Sequence, residues 1–160
     1  VADYLLFLLF TGLRRQEVAA LKWSAIDLND LSFTLKDTKN REPLTLPLTD
    51  FIVQLLESRK VIKYSEYVFA GDGKAGYLIE TRRQVQKVTE FSGVIFTLHD
   101  FRRTFITITE NIDISAYALK RLVNHKMSSD VTASYIVNDV ERLRRPMEQI
   151  SLKLLQLLKV

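Results

Sequence analysis

The side chains able to move protons or hold anions are few here, and most are cations. There are two histidines, His99 and His125, and no cysteine. Each histidine stands among basic residues, in LHDFRRTF and LVNHKMSS, rather than beside carboxylates. A metal site needs several His, Asp or Glu ligands at close spacing. No such cluster is visible, so neither a metal nor a cofactor is expected. Gly71, Gly73 and Gly76 lack the Lys-Ser/Thr ending of a phosphate loop. His99 and Arg102 lie three apart in a helical pattern and so share a helix face, at the N-terminal turn, where an anion is favoured. A histidine donor and a guanidinium fork there make a phosphate clamp, although a solvated basic face would show the same spacing. Arg14 stands in TGLRRQE with Glu17 one turn on. It reads either as a phosphate-binding arginine buttressed by a carboxylate or as a surface ion pair worth ~0.2–0.5 kcal/mol.

Two further residues have chemistry that depends on context. Lys39 lies in the polar stretch DTKNR between two alternating segments, where it is a solubilising lysine or a mobile acid reaching into a site. Lys36 and Arg41 compete with it for that role. Six tyrosines are present, most of them expected to be half-buried with bonded hydroxyls. Tyr135 differs in context, because it follows His125 by ten residues in HKMSSDVTASY.

These residues must be positioned by a mainly α fold with a small antiparallel β-sheet (α+β). Val1 to Phe10 is apolar almost all round, the mark of a helix buried on every side. Leu13 to Trp23 resumes a helical pattern. Ser32 to Leu35 and Leu44 to Leu48 alternate and read as a hairpin, its second strand placed at an edge by Pro43 and Pro47. Ile26 to Leu28 is a candidate third strand. Thr49 or Asp50 caps a helix to about Val61. A loop from Tyr64 to Tyr77 surrounds a short strand, Tyr67 to Phe69. Helices are expected over Ile79 to Phe91, His99 to Glu110, Ser115 to Val123 and Ser129 to Tyr135. Asp139 to Leu158 is amphipathic, with Pro146 expected to kink it or start a new helix.

Composition bounds the partners. The chain has 160 residues, 47% apolar and 26% charged, which suits one packed domain and excludes disorder. Its net charge of +4 favours a polyanionic partner such as nucleic acid. The longest apolar run, Tyr4 to Phe10, is far short of the ~20 residues of a bilayer span, so no membrane is expected. The chain opens on Val1 rather than Met, which leads us to expect an excised domain.

Taken together and in order, these motifs resemble the tyrosine recombinase, or phage integrase, family. TGLRRQEVAALKWSAID is similar to the family's first box, Thr-Gly-x-Arg-x-x-Glu, and matches Arg14 with Glu17 as its acidic neighbour. LHDFRRTFIT is similar to the His-x-x-Arg box and matches His99 and Arg102. LVNHKMSSDVTASY matches the second histidine at His125 and the nucleophile at Tyr135, and the hairpin lysine falls on Lys39. The chain departs from the family in two places. Val123-Asn124-His125 stands where many members have Leu-Gly-His, and the His-to-Tyr gap is often one residue shorter. Both variants resemble the branch carried by satellite phages and genomic islands.

The resemblance implies the catalytic-domain (DNA breaking-rejoining) fold and a site-specific recombinase acting on double-stranded DNA attachment sites without metal or ATP. Tyr135 would attack the scissile phosphate to give a 3′-phosphotyrosyl link. Arg14, Arg102 and His125 would stabilise the transition state, Lys39 would protonate the leaving 5′-oxygen, and His99 would help accept the tyrosine proton. The adjoining cations Arg15, Arg41, Arg103 and Lys126 are expected to contact DNA. Residues 1–160 would be the C-terminal catalytic domain, with the family's N-terminal DNA-clamping domain absent. The resemblance further implies a homotetramer on DNA in the bacterial cytoplasm, and a C-terminal helix that packs on its own domain or docks on a neighbouring protomer through Leu143, Met147, Ile150, Leu154 and Leu157 or Leu158. The rival readings are a type IB topoisomerase, a catalytically inactive DNA-binding module and a plain helical interaction protein.

Overall fold

A computed structural model of the chain describes residues 1–36, 38, 43–62, 65–125 and 140–158. The core is built around α1 (Ala2–Thr11), as its all-round apolarity requires. Tyr4, Phe7, Leu8 and Phe10 are fully buried. Phe7 meets Phe33 and Phe69 edge-on, with ring centroids 5.7 and 5.5 Å away. Such aromatic pairs add ~0.5–1.5 kcal/mol beyond the area they bury.

The sheet lies against this helix. Strands β1 (Ile26–Asp27), β2 (Ser32–Leu35) and β3 (Leu44–Pro47) are antiparallel in the order β1-β2-β3. Phe33 stands opposite Leu46, and Leu35 opposite Leu44. All four are buried. Pro47 sits on β3, an edge strand, where its missing N–H costs no central ladder bond. The expected hairpin, its edge and the small third strand are therefore all present.

Among the described residues, five further helices within 50–158 complete the packing. In α3 (Asp50–Val61) the cap is Thr49, whose hydroxyl accepts from the Ile52 N–H. Next come α4 (Arg82–Ser92), α5 (Leu98–Glu110) and α6 (Ala116–Leu122). The last helix, α7 (Val140–Leu158), lies on β3, α5, α6 and α1. Among the described residues, no helix is long and apolar enough to cross a membrane.

Several local expectations are corrected. The helix expected from Leu13 to Trp23 is only α2 (Arg15–Ala19), followed by a 3₁₀ turn at Trp23–Ala25. Tertiary pairing overrides helical pattern there. The Trp23 N–H donates to the Glu66 carbonyl and the Val68 N–H to the Leu21 carbonyl, so the chain leaves the helix to bridge Lys22 with Tyr67. That bridge, with a second between Ala70 and Tyr77, replaces the short strand expected at Tyr67 to Phe69. The helix expected from Ile79 begins at Arg82, after Thr81. Pro146 does not start a new helix, because α7 runs through it. Leu143 on one side and Met147 and Ile150 on the other are buried in the same core. The expected helix over Ser129 to Tyr135 lies outside the described residues.

Candidate active site

Arg14 is placed by a sharp exit from α1. Gly12 ends that helix with φ +62°, and its N–H donates to the Leu8 carbonyl. An added Cβ at Gly12 would land on the ring of Phe105 in α5. The glycine of the TGLRRQE motif thus serves two needs at once, a left-handed turn and close approach of two helices. Arg14 is then extended, φ −74° and ψ 145°, and caps α2. Its main-chain N–H donates to Glu17 Oε2 at 3.0 Å, and its Nη1 donates to Glu17 Oε1 at 3.1 Å. Glu17 is buried, with its side chain 5% exposed. The pair is therefore not the solvated surface contact that the spacing also allowed.

Arg102 is placed by α5. Thr97 begins that helix in a capping box, its hydroxyl and N–H both bonded to Asp100 Oδ2 at 2.7 Å. These bonds, helped by Arg103, hold the Asp100 carboxyl below its usual range. One turn on, Arg102 is buried, 5% exposed. Its Nη1 donates to the Gly12 carbonyl at 2.6 Å and its Nη2 to the Val123 carbonyl. Burial, then the charge of Arg14, draws it down to about 10, which still leaves it protonated at neutral pH.

The turn after α6 joins these two arginines. Asn124 sits at φ +50°. Its carbonyl accepts from Arg14 Nη2 at 3.3 Å, while the preceding carbonyl, of Val123, holds Arg102. Next in the chain is His125, exposed, its N–H bonded to the Lys120 carbonyl. Partial burial and the cations Arg102, Arg14 and Lys120 hold its imidazole below the usual value. Neutral imidazole keeps one N–H donor.

His99 is exposed in the first turn of α5 and lines a cleft of about 340 Å³ with Arg14, Arg15, Gln16 and Arg102. Four sequence-identified residues from two separate boxes, Arg14, Arg15, His99 and Arg102, therefore open onto one cleft. Arg103 is exposed and pairs with Asp100 at 3.4 Å. A second cleft of about 1030 Å³ adjoins Arg14 and is lined in part by Glu17, Lys22, Lys36 and Thr38. Lys39, Arg41, Lys126 and Tyr135 lie outside the described residues. No cluster of His, Asp and Glu fit for a metal occurs among the described residues.

Sequence reasoning missed two contributors. One is the Gly12 carbonyl, a main-chain group with no side-chain signature. The other is Asn124, noted only as a departure from glycine. Its signal was present, since Asn is among the few residues that enter the left-handed region readily.

Comparison with known proteins places the chain as a whole. The model of the phage integrase family matches residues 2–142. The chain is 29% identical over 153 residues to prophage integrase IntF of Escherichia coli K12, covering 92% of this chain and 33% of that protein. It is 28% identical over 140 residues to a putative integrase/recombinase of Haemophilus influenzae, covering 87% of this chain and 44% of that one. The chain thus spans less than half the length of these curated relatives. Among solved structures, the integrase from mycobacterium phage Brujita matches with a TM-score of 0.74 at 20% identity, over 93% of this chain and 50% of that one. A lambda integrase tetramer bound to a Holliday junction matches with a TM-score of 0.63 at 21% identity, over 80% of this chain and 41% of that one. These likenesses show a common fold, and the family match extends from α1 into α7. The chain belongs to the phage integrase family.

Proposed function

We propose that this chain is the catalytic domain of a site-specific DNA integrase that breaks and rejoins strands through a 3′-phosphotyrosyl intermediate. The observation that carries this reading is the convergence of Arg14 and Arg102 on adjacent carbonyls of one turn, with His99 on their cleft and His125 next in the chain. Two fixed guanidinium groups are suited to the negative charge that grows on the non-bridging oxygens of a phosphodiester under attack. His125 adds a donor to those oxygens. Tyr135 supplies the nucleophile, its proton passing toward His99. Lys39 protonates the departing 5′-oxygen. The partner strand's 5′-hydroxyl then attacks the phosphotyrosyl bond, so the phosphodiester is restored and Tyr135 is released. Side-chain cations supply the charge stabilisation, so the reading needs neither metal nor ATP.

The curated relatives are longer than this chain, which leaves room for the DNA-clamping domain that the family resemblance puts before this one in the whole protein. Arg15, Arg41, Arg103 and Lys126 would hold the DNA backbone, and the protein would work as a homotetramer on its attachment sites in the bacterial cytoplasm. Leu143, Met147, Ile150 and Leu154 are buried in their own domain. A neighbouring protomer would therefore meet the end of α7, where Leu152, Leu157 and Leu158 are exposed.

The test is covalent trapping on a nicked suicide substrate carrying the natural site. The parent is expected to form an adduct mapping to Tyr135. Tyr135→Phe is expected to bind the same DNA and form none. An adduct of normal yield with Tyr135→Phe removes that residue from the reaction. Relaxation of supercoils without site preference would favour topoisomerase activity instead.

A further inference from the structure

The turn at Asn124 needs only a residue that tolerates φ +50°, and glycine would satisfy it with no side chain at all. The side chain therefore requires its own account. It is 8% exposed, and its Nδ2 donates to Glu17 Oε1 at 3.3 Å, across 107 positions of sequence. An ionised carboxylate only accepts, so the amide must present its nitrogen to Glu17. The same Glu17 oxygen takes Arg14 Nη1, and the other takes the Arg14 main-chain N–H. Arg14 Nη2 returns to the Asn124 carbonyl at 3.3 Å. The bonds close a ring from the Asn124 amide to Glu17, to Arg14, and back to the Asn124 main chain.

We propose that Asn124 is a positioning residue that fixes the Arg14 guanidinium through Glu17 and locks the His125 turn to the arginine turn. The proposal rests on the reading of Arg14 as a phosphate-binding side chain. Asn124 acts on the reaction only through its neighbours. Its contribution is geometric, since an arginine free to rotate about its last torsions loses the fork alignment that phosphate contact requires.

Two variants separate the turn from the tie. Asn124→Gly keeps the left-handed backbone and removes the amide. Asn124→Asp keeps the shape but sets a carboxyl against Glu17. Two carboxyls sharing a site hold one proton more tightly, so acid restores an O–H donor to the aspartate variant and not to the glycine variant. In single-turnover cleavage, Asn124→Gly is expected to be slower by about tenfold across the pH range, with DNA affinity within about twofold of the parent. Asn124→Asp is expected to match the glycine variant at about pH 8 and to approach the parent, within about threefold, near pH 5.5. A second measurement is independent of activity. In protein labelled with ¹⁵N-arginine, the Arg14 Nη–H protons, which make the bonds of the ring, are expected to exchange faster with solvent in Asn124→Gly. Parental cleavage by Asn124→Gly, a constant aspartate-to-parent ratio across pH, or unchanged Arg14 exchange would each overturn the proposal. A parent that forms no adduct while its Arg14 exchange still responds would instead sink the proposed reaction and leave the positioning role standing.

Discussion

Arg14 and Arg102 are both guanidinium groups in one cleft, but they are held differently. Arg14 is paired with a buried carboxylate, whereas Arg102 rests on two main-chain carbonyls. Among the described residues, no carboxylate lies within ion-pair distance of Arg102. Its positive field therefore reaches His125, where, after partial burial, it acts with Arg14 and Lys120 to lower the imidazole's value. The direction of the pH effect follows. A histidine held below its ordinary value resists protonation in the folded state. It costs the fold nothing above the unfolded value of about 6.5, and stability is lost as pH falls below that. An NMR titration of His125 is expected to give a midpoint below 6.5, and Lys120→Gln, which alters an exposed residue, should raise it. A midpoint at or above 6.5 would contradict the electrostatics described.

At the scale of elements, the α1–α2 turn is the critical joint. Gly12→Ala forces a side chain into the left-handed region and onto the Phe105 ring. Left-handed strain of ~1–2 kcal/mol and overpacking of ~1–3 kcal/mol together predict a loss of about 3 kcal/mol. Urea denaturation measures this, and a loss under about 1 kcal/mol would show that the turn adapts more freely than the packing implies. The same joint shows what the sequence made legible. The apolarity of α1, the alternation of β2 and β3 and the prolines of the edge strand follow from local pattern, and each formed as read. The cap at Thr49 did too. The short α2 did not, because its end is set by a bridge to Tyr67, and a contact 45 positions distant leaves no mark on helical periodicity. At the site, the cations were legible as residue types in motifs. The carbonyls that orient them were not, since every residue carries one.

For the whole molecule, α7 decides how one chain could meet another. Its inner stripe closes over the core, and Arg144 fastens its first turns to the Asp30 and Leu31 carbonyls at 2.7 and 2.9 Å. Only the far end presents exposed leucines. Replacing Leu157 and Leu158 by serine should leave the melting temperature and single-site cleavage unchanged, yet weaken tetramer formation on DNA. Sedimentation of the protein–DNA complex tests this, and unaltered assembly would place the contact elsewhere. The mooring of Arg102 has a last consequence, for mutational tolerance. Oxygens of the main chain cannot be deleted by substitution. The anchor at Val123 thus survives exchange of that buried side chain for another apolar one, as long as the backbone keeps its course.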